Sequence, residues 1–239
     1  MTNALARKSL AELIGTALLV AAVIGSGIAA QRLSPTDVGL QLFENTAATA
    51  AALIAIILAL GAVSGAHLNP VVTLVDRVLG GLTNGEAAVY VISQIAGGVL
   101  GAIVANLMFD AAAVTWSTHR RFTGAHFLGE VVATFGLVLV VFGIARSGRA
   151  STAPFAVAAY IAAAYWFTSS TSFANPAVTF ARTLSDTFAG IAPSSAPAFV
   201  VAQLVGGGLG IACVVALYPG LAEAADDVVV PHVSEEDHV

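Results

Sequence analysis

An all-α membrane protein, with six transmembrane helices plus two half-helices in an inverted repeat, is the architecture this sequence predicts. Three observations predict it. Hydrophobic residues make up 58% of the 239 residues and charged residues only 10%, where soluble domains carry about a quarter charged. Six apolar segments are about long enough to cross a bilayer, which takes roughly 20 helical residues. An Asn-Pro turn opening a short apolar run occurs twice, in SGAHLNPVVT (Ser64 to Thr73) and in TSFANPAVTFART (Thr171 to Thr183).

The elements follow in order. Residues 1–8 before an apolar run resemble a signal peptide, but Glu12 and the length of the run to Ala30 favour a retained spanning helix over 10–30. Residues 31–45 read as a polar, proline-containing connection, and 46–61 as the second span. The first Asn-Pro run follows, broken by Asp76 and Arg77. TNGEAA (Thr83 to Ala88) is a turn with a helix start, and 87–108 is the third span, with Gln94 and paired glycines. A polar loop with Trp116, His119, Arg120 and Arg121 then divides the chain. Spans are expected over 127–145 and 153–168, joined by RSGRAST. The second Asn-Pro run comes next, then a loop, then a sixth span over 198–217. The tail holds Glu223, Asp226, Asp227, Glu235, Glu236 and Asp237 and supplies most of the net charge of -5. It reads as a solvated acidic extension over 221–239.

Landmarks recur in the same order. Glu130 lies 118 residues after Glu12, Asn175 106 after Asn69, and Gln203 109 after Gln94. Similar offsets for unrelated landmarks indicate a duplication, with a first repeat over 9–110 and a second over 124–219 inside one domain. Three spans per half force the halves into opposite orientations, and such repeats place permeation or binding at their interface. With a cytoplasmic amino terminus, the inside holds Arg7, Lys8, Arg77, Arg146 and Arg149, and the outside Arg32, Arg120, Arg121 and Arg182. Five against four favours that orientation slightly, with both termini cytoplasmic.

A short helix at membrane depth must be buried in protein or line a water-filled cavity. Asn is a strong N-cap and Pro suits the first helical position. Asn69-Pro70 and Asn175-Pro176 are therefore expected to start two half-helices that meet near the midplane. Each start carries about half a positive charge, so cations are repelled and neutral solutes are not. The Asn amide N–H groups are expected to remain free as donors to solutes.

The doubled motif, the paired Glu12 and Glu130 and the six-span duplication resemble the aquaporin and aquaglyceroporin (major intrinsic protein) family over essentially all of 10–217. The resemblance implies a homotetramer of independently conducting monomers, passive passage of water and small neutral solutes, and no cofactor. The chain departs from the family in three places, one of them Thr179, where the family's glycerol facilitators tend to have Asp. The first box ends in Val71 where the family has Ala, an enlargement expected to keep the turn. The residue after the second box is Val178 where the family has Arg; Arg182, one turn on, is expected to sit too deep to substitute. Counting along the family pattern gives a filter of Thr49, Ala163, Ser172 and Val178, with no cation and no large aromatic. Such a filter is expected to be wide and to pass glycerol, neutral metalloid hydroxides such as arsenous acid, and bulkier organic arsenicals. The box also resembles a bacterial branch of aquaglyceroporins associated with arsenic resistance, which implies a bacterial cytoplasmic (inner) membrane.

Other residues carry less. Glu12 and Glu130 either snorkel to the interface or accept backbone N–H groups of the half-helix loops. His67 either braces its loop or lines the pore. His119 and His126 lack partners at metal-ligand spacing, so no metal is expected. Gln94 and Gln203 are expected to tie span to span, and Cys213 to pack. An energised transporter built from inverted repeats is the main alternative, but no midplane charge is placed to couple ions. No catalytic constellation supports an enzyme, and no basic patch supports nucleic-acid binding.

Overall fold

The computed structural model describes residues 2–218; the expected acidic tail over 221–239 lies outside them. Eight α-helices follow one another: α1 Asn3–Leu33, α2 Val38–Ser64, α3 Pro70–Leu79, α4 Asn84–Met108, α5 Gly124–Arg146, α6 Ala153–Phe167, α7 Pro176–Ala181 and α8 Ala196–Leu217. Short 3-10 turns precede α6 (Ala150–Thr152) and follow α7 (Arg182–Leu184). Six of the helical segments are long and apolar enough to span a membrane. Among the described residues there is no strand.

Local chemistry sets the helix ends. The Asp37 side chain accepts from Leu40 N and starts α2 eight residues earlier than the expected 46. Gln41, Glu44 and Asn45 look like a polar connection in sequence, yet they belong to the first turns of that helix. Thr83 and Glu86 close a reciprocal capping box at α4. Thr123 caps α5. Gly65 and Gly80 end α2 and α3 in the left-handed conformation.

The duplication is visible in the packing. In the first half α1 lies against α4, and in the second α5 lies against α8. Both contacts are close because glycines remove the side chain. A Cβ placed on Gly97 would fall 2.2 Å from Leu13 O, and one on its counterpart Gly206 2.5 Å from Val131 O. Small residues let helix backbones approach without a solvophobic drive, as membrane interiors require. Outside this core, large apolar side chains such as Leu18, Ile92, Leu100, Leu204 and Leu209 stand exposed. That outer surface suits lipid.

The two half-helices, α3 and α7, enter between the long helices and meet at their amino-terminal ends. Their second residues pack into the opposite half. Val71 faces Gly207 on α8, and Ala177 faces Gly98 on α4. The extra bulk of Val71 is thus taken up by a glycine position, and Asn69 still caps α3.

Candidate functional site: a cavity through the repeat interface

The site is built on two loops that the backbone alone would not favour. Ala66 and Leu68 in the first, and Ser172 and Ala174 in the second, all have φ between 46° and 51°. Non-glycine residues avoid this region, and each costs on the order of 1–3 kcal/mol. Two buried carboxylates hold the strained loops. Glu12 accepts from His67 N at 3.0 Å, Leu68 N at 2.7 Å and Ser64 Oγ at 2.7 Å. Glu130 accepts from Phe173 N at 2.8 Å and Ala174 N at 2.9 Å. Each carboxylate also receives a glutamine: Gln94 Nε2 at 2.7 Å and Gln203 Nε2 at 2.6 Å. The same two amide groups donate to Thr73 and Thr179 on the half-helices. Neither glutamate reaches the interface; both are fully buried.

Asn69 and Asn175 cap the half-helices. Asn69 Oδ1 accepts from Val71 N at 2.9 Å, and Asn175 Oδ1 from Ala177 N at 3.0 Å and Val178 N at 3.2 Å. Pro70 and Pro176 occupy the first helical turn of each. The amide groups depart from expectation. Asn69 Nδ2 donates to Ala174 O, and Asn175 Nδ2 to Leu68 O, each at 2.7 Å. One hydrogen of each amide is therefore spent on the opposite repeat, leaving the other for the cavity that both residues line.

That cavity, of about 70 Å³, runs past both loops. It has room for roughly five waters in file. Its lining combines apolar side chains, among them Leu19, Val23, Leu53, Ile57, Leu137 and Val141, with the polar groups of His67, Asn69, Ser172, Asn175 and Arg182. Ser172 Oγ has no protein partner among the described residues. His67 Nδ1 lies 3.2 Å from Thr73 Oγ1, and its Nε2 3.8 Å from Asp76 Oδ2. His67 thus both braces its loop and lines the cavity.

The expected filter needs two corrections. Thr49, Ser172 and Val178 line the cavity, but Ala163 does not. It is exposed on the far side of α6. The face of α6 that meets the cavity is Val157, Ile161 and Tyr165, spaced by four, and Tyr165 donates its hydroxyl to Thr49 Oγ1 at 3.3 Å. The wall is also not free of cation or aromatic. α7 runs from the cavity centre towards a mouth, so the residue one turn after Val178 lies on the same face and nearer that mouth. Arg182 stands there, buried, its guanidinium 3.4 Å from the Phe173 ring centroid and its Nε donating to Ala189 O. Sequence reasoning missed Tyr165 and Phe173 and set Arg182 aside as too deep; the four-residue spacing on α6 and the step from Val178 to Arg182 were the available signals.

A second cavity of about 320 Å³, the vestibule, shares Arg182 with the first, and His119 and Arg121 contribute to it. Arg121 donates to Gly190 O at 2.8 Å and Phe188 O at 3.0 Å, and burial pulls its guanidinium below the usual arginine range. On the same loops Asp186 accepts from Thr118 N at 2.8 Å, which lowers its carboxyl below the ordinary value. No group of three or more His, Cys, Asp or Glu among the described residues could hold a metal ion.

A family model described as Major intrinsic protein matches residues 1–172. The chain is 47% identical over 225 residues to an aquaglyceroporin, AqpS, of Rhizobium meliloti, covering 94% of each. It is 31% identical to a probable aquaporin, AqpM, of Archaeoglobus fulgidus, covering 86% of this chain and 94% of that one. The X-ray structure of the aquaglyceroporin from Plasmodium falciparum has a similar fold, with a TM-score of 0.63 at 18% identity over 90% of this chain and 95% of that one. By the family match and by both relatives, the chain belongs to the major intrinsic protein family of passive membrane channels for water and small solutes, and is not an enzyme.

Proposed function

We propose that the pore passes water and small uncharged polyhydroxy solutes, with glycerol and neutral metalloid hydroxides such as arsenous acid as its class. One observation carries the reading: the narrow cavity is lined by apolar side chains together with polar groups at Asn69, Asn175, Ser172 and Arg182. A solute with a carbon or metalloid face and several hydroxyls matches such a lining. The likeness to a bacterial aquaglyceroporin over nearly the whole chain supports it. The wide filter expected for bulkier organic arsenicals loses its support with Tyr165 and Arg182 on the wall, so the reading is confined to small triols.

Selection follows from the groups present. The Asn amides, Ser172 and Arg182 replace water around hydroxyls, and the paired helix starts oppose cations at the centre. We place the protein as a homotetramer in a bacterial cytoplasmic membrane with both termini inside, so that the Arg182 mouth faces out. The roles of Glu12, Glu130, Pro70, Pro176 and His67 are supporting ones, holding the loops. Light scattering from proteoliposomes tests the reading with water, glycerol, urea and arsenous acid. Glycerol and arsenous acid are expected to shrink and refill the vesicles well above the protein-free rate. Water flux without either solute sinks the proposal, and proton-dependent or saturating flux points instead to a coupled transporter.

A further inference from the structure

The vestibule beyond Arg182 has an electrostatic character that a path for neutral solutes does not require. Two guanidiniums flank one ring: Arg182 lies 3.4 Å and Arg121 5.4 Å from the Phe173 centroid. Among the described residues no carboxylate forms an ion pair with either. The acids on nearby loops are engaged elsewhere, Asp37 as the cap of α2 and Asp186 with Thr118. Their direct partners are neutral: the carbonyls of Phe188, Ala189 and Gly190 and the π-face of Phe173. The buried Glu130 acts on them only through space, its oxygens being taken by Phe173 N, Ala174 N and Gln203. Like charges close together out of bulk water repel, and a counter-ion relieves that repulsion.

Arg182 borders the space that would hold the counter-ion. It is 2% exposed, yet it lines both the vestibule and the narrow cavity. Its only hydrogen bond within the described residues leaves from Nε, so both terminal amino groups lack a protein acceptor. A guanidinium presents planar donors that match two oxygens of one anion. Asn45 and Thr171 line the same vestibule and add neutral polar groups, and the exposed His119 sits at its rim.

We propose that this vestibule is a binding site for small oxyanions, gripped by the fork of Arg182 and countered by Arg121. The bound anion sits across the entrance of the narrow cavity and so obstructs it. The site is independent of which neutral solute the pore passes.

Inorganic phosphate is the probe. Its phosphorus resonance is followed while the purified full chain in detergent micelles is titrated, and the water permeability of proteoliposomes is measured in phosphate and in chloride at equal ionic strength. Saturable broadening and a matching fall in water permeability are expected for the wild type. Binding should weaken about tenfold in Arg182→Met, less in Arg182→Lys, which keeps the charge without the fork, and measurably in Arg121→Gln. Arg149→Gln, an exposed change away from the vestibule, should titrate as the wild type does. Helix content by circular dichroism identifies any variant that fails to fold; Arg121→Gln then carries the test. Non-saturable broadening overturns the proposal, as does identical titration of folded wild type and folded vestibule variants.

Discussion

Laid over each other at an offset of 106 residues, the two half-helix loops match group for group and then part. His67 and Leu68 correspond to Phe173 and Ala174, Asn69 to Asn175, Thr73 to Thr179, and Asp76 to Arg182. Up to the threonines the same backbone N–H groups reach the same kind of carboxylate, and the same glutamine contact follows. At the last position the charges are opposite. Asp76 and Arg182 are each 2% exposed, and each turns back on the residue two before its asparagine: Asp76 lies 3.8 Å from His67 Nε2, and Arg182 stacks on Phe173. The fold therefore makes one slot twice, filled by an acid with an imidazole in the first half and by a guanidinium with a ring in the second. Of the two charges only Arg182 lines the cavity. The common part builds the pore, and the divergent part puts a cation on its wall in one half alone.

The largest effect is expected where the halves agree. Glu12→Ala orphans two backbone N–H groups and Gln94, and Glu130→Ala orphans two and Gln203. Each buried orphan costs about 1–3 kcal/mol, so both variants should lose several kcal/mol and nearly all permeability. Thermal unfolding in detergent measures it, and a folded, conducting Glu130→Ala beside a collapsed Glu12→Ala would break the symmetry argued above.

Next comes a change where the halves share a residue type. Val72 and Val178 are equivalent, and both line the cavity. Val178→Arg adds a second guanidinium one turn inside Arg182. Glycerol flux should fall by about tenfold, and water flux by less, because charge and bulk at a constriction act first on the larger solute. Equal glycerol flux in the variant would remove Val178 from the permeation path.

A smaller effect probes the enlarged first box. Gly207→Ala puts a Cβ 2.6 Å from Val71 Cγ1, whereas Gly98→Ala meets Ala177 O at 3.2 Å. The first should cost about 1–3 kcal/mol by overpacking, and Val71→Ala should restore most of it. Failure of that rescue in a double-mutant cycle would show that the two residues are not the coupled pair.

The smallest effect belongs to the loops outside the slots. The Asp186 carboxyl is held below its ordinary value by Thr118 N. Its contribution is present above the unfolded value and is lost as pH falls through the folded one. Exchange of the Thr118 amide should therefore accelerate only in acid below the usual aspartate range, and Asp186→Asn should remove that pH dependence with little change in unfolding temperature. An unaltered profile in the variant would assign the protection to another group.

The sequence made some of this legible because its signals are rare in a membrane. A buried carboxylate, or an Asn-Pro inside an apolar run, is conspicuous, and pairs at near-constant offset are more so. Glu12, Glu130, Asn69 and Asn175 could be picked out for that reason. Ala163 failed for the opposite reason: its position was counted across a loop of unmarked length, and helix phase, carried by Val157, Ile161 and Tyr165, overrules a count. Arg182 was misplaced in depth, because the direction of α7 relative to the mouth had not been followed. The amide bridges from Asn69 and Asn175 join residues more than a hundred apart, and no local pattern records them.

Those two bridges bear on how such a chain could arise and be made. A lone repeat leaves its asparagine amide and the carbonyl beside it each half-matched, a donor and an acceptor awaiting partners of the same kind. Its complement is another copy of itself inserted the other way up. During synthesis the first loop must wait, incomplete, until roughly a hundred further residues have crossed and recrossed the membrane to close it.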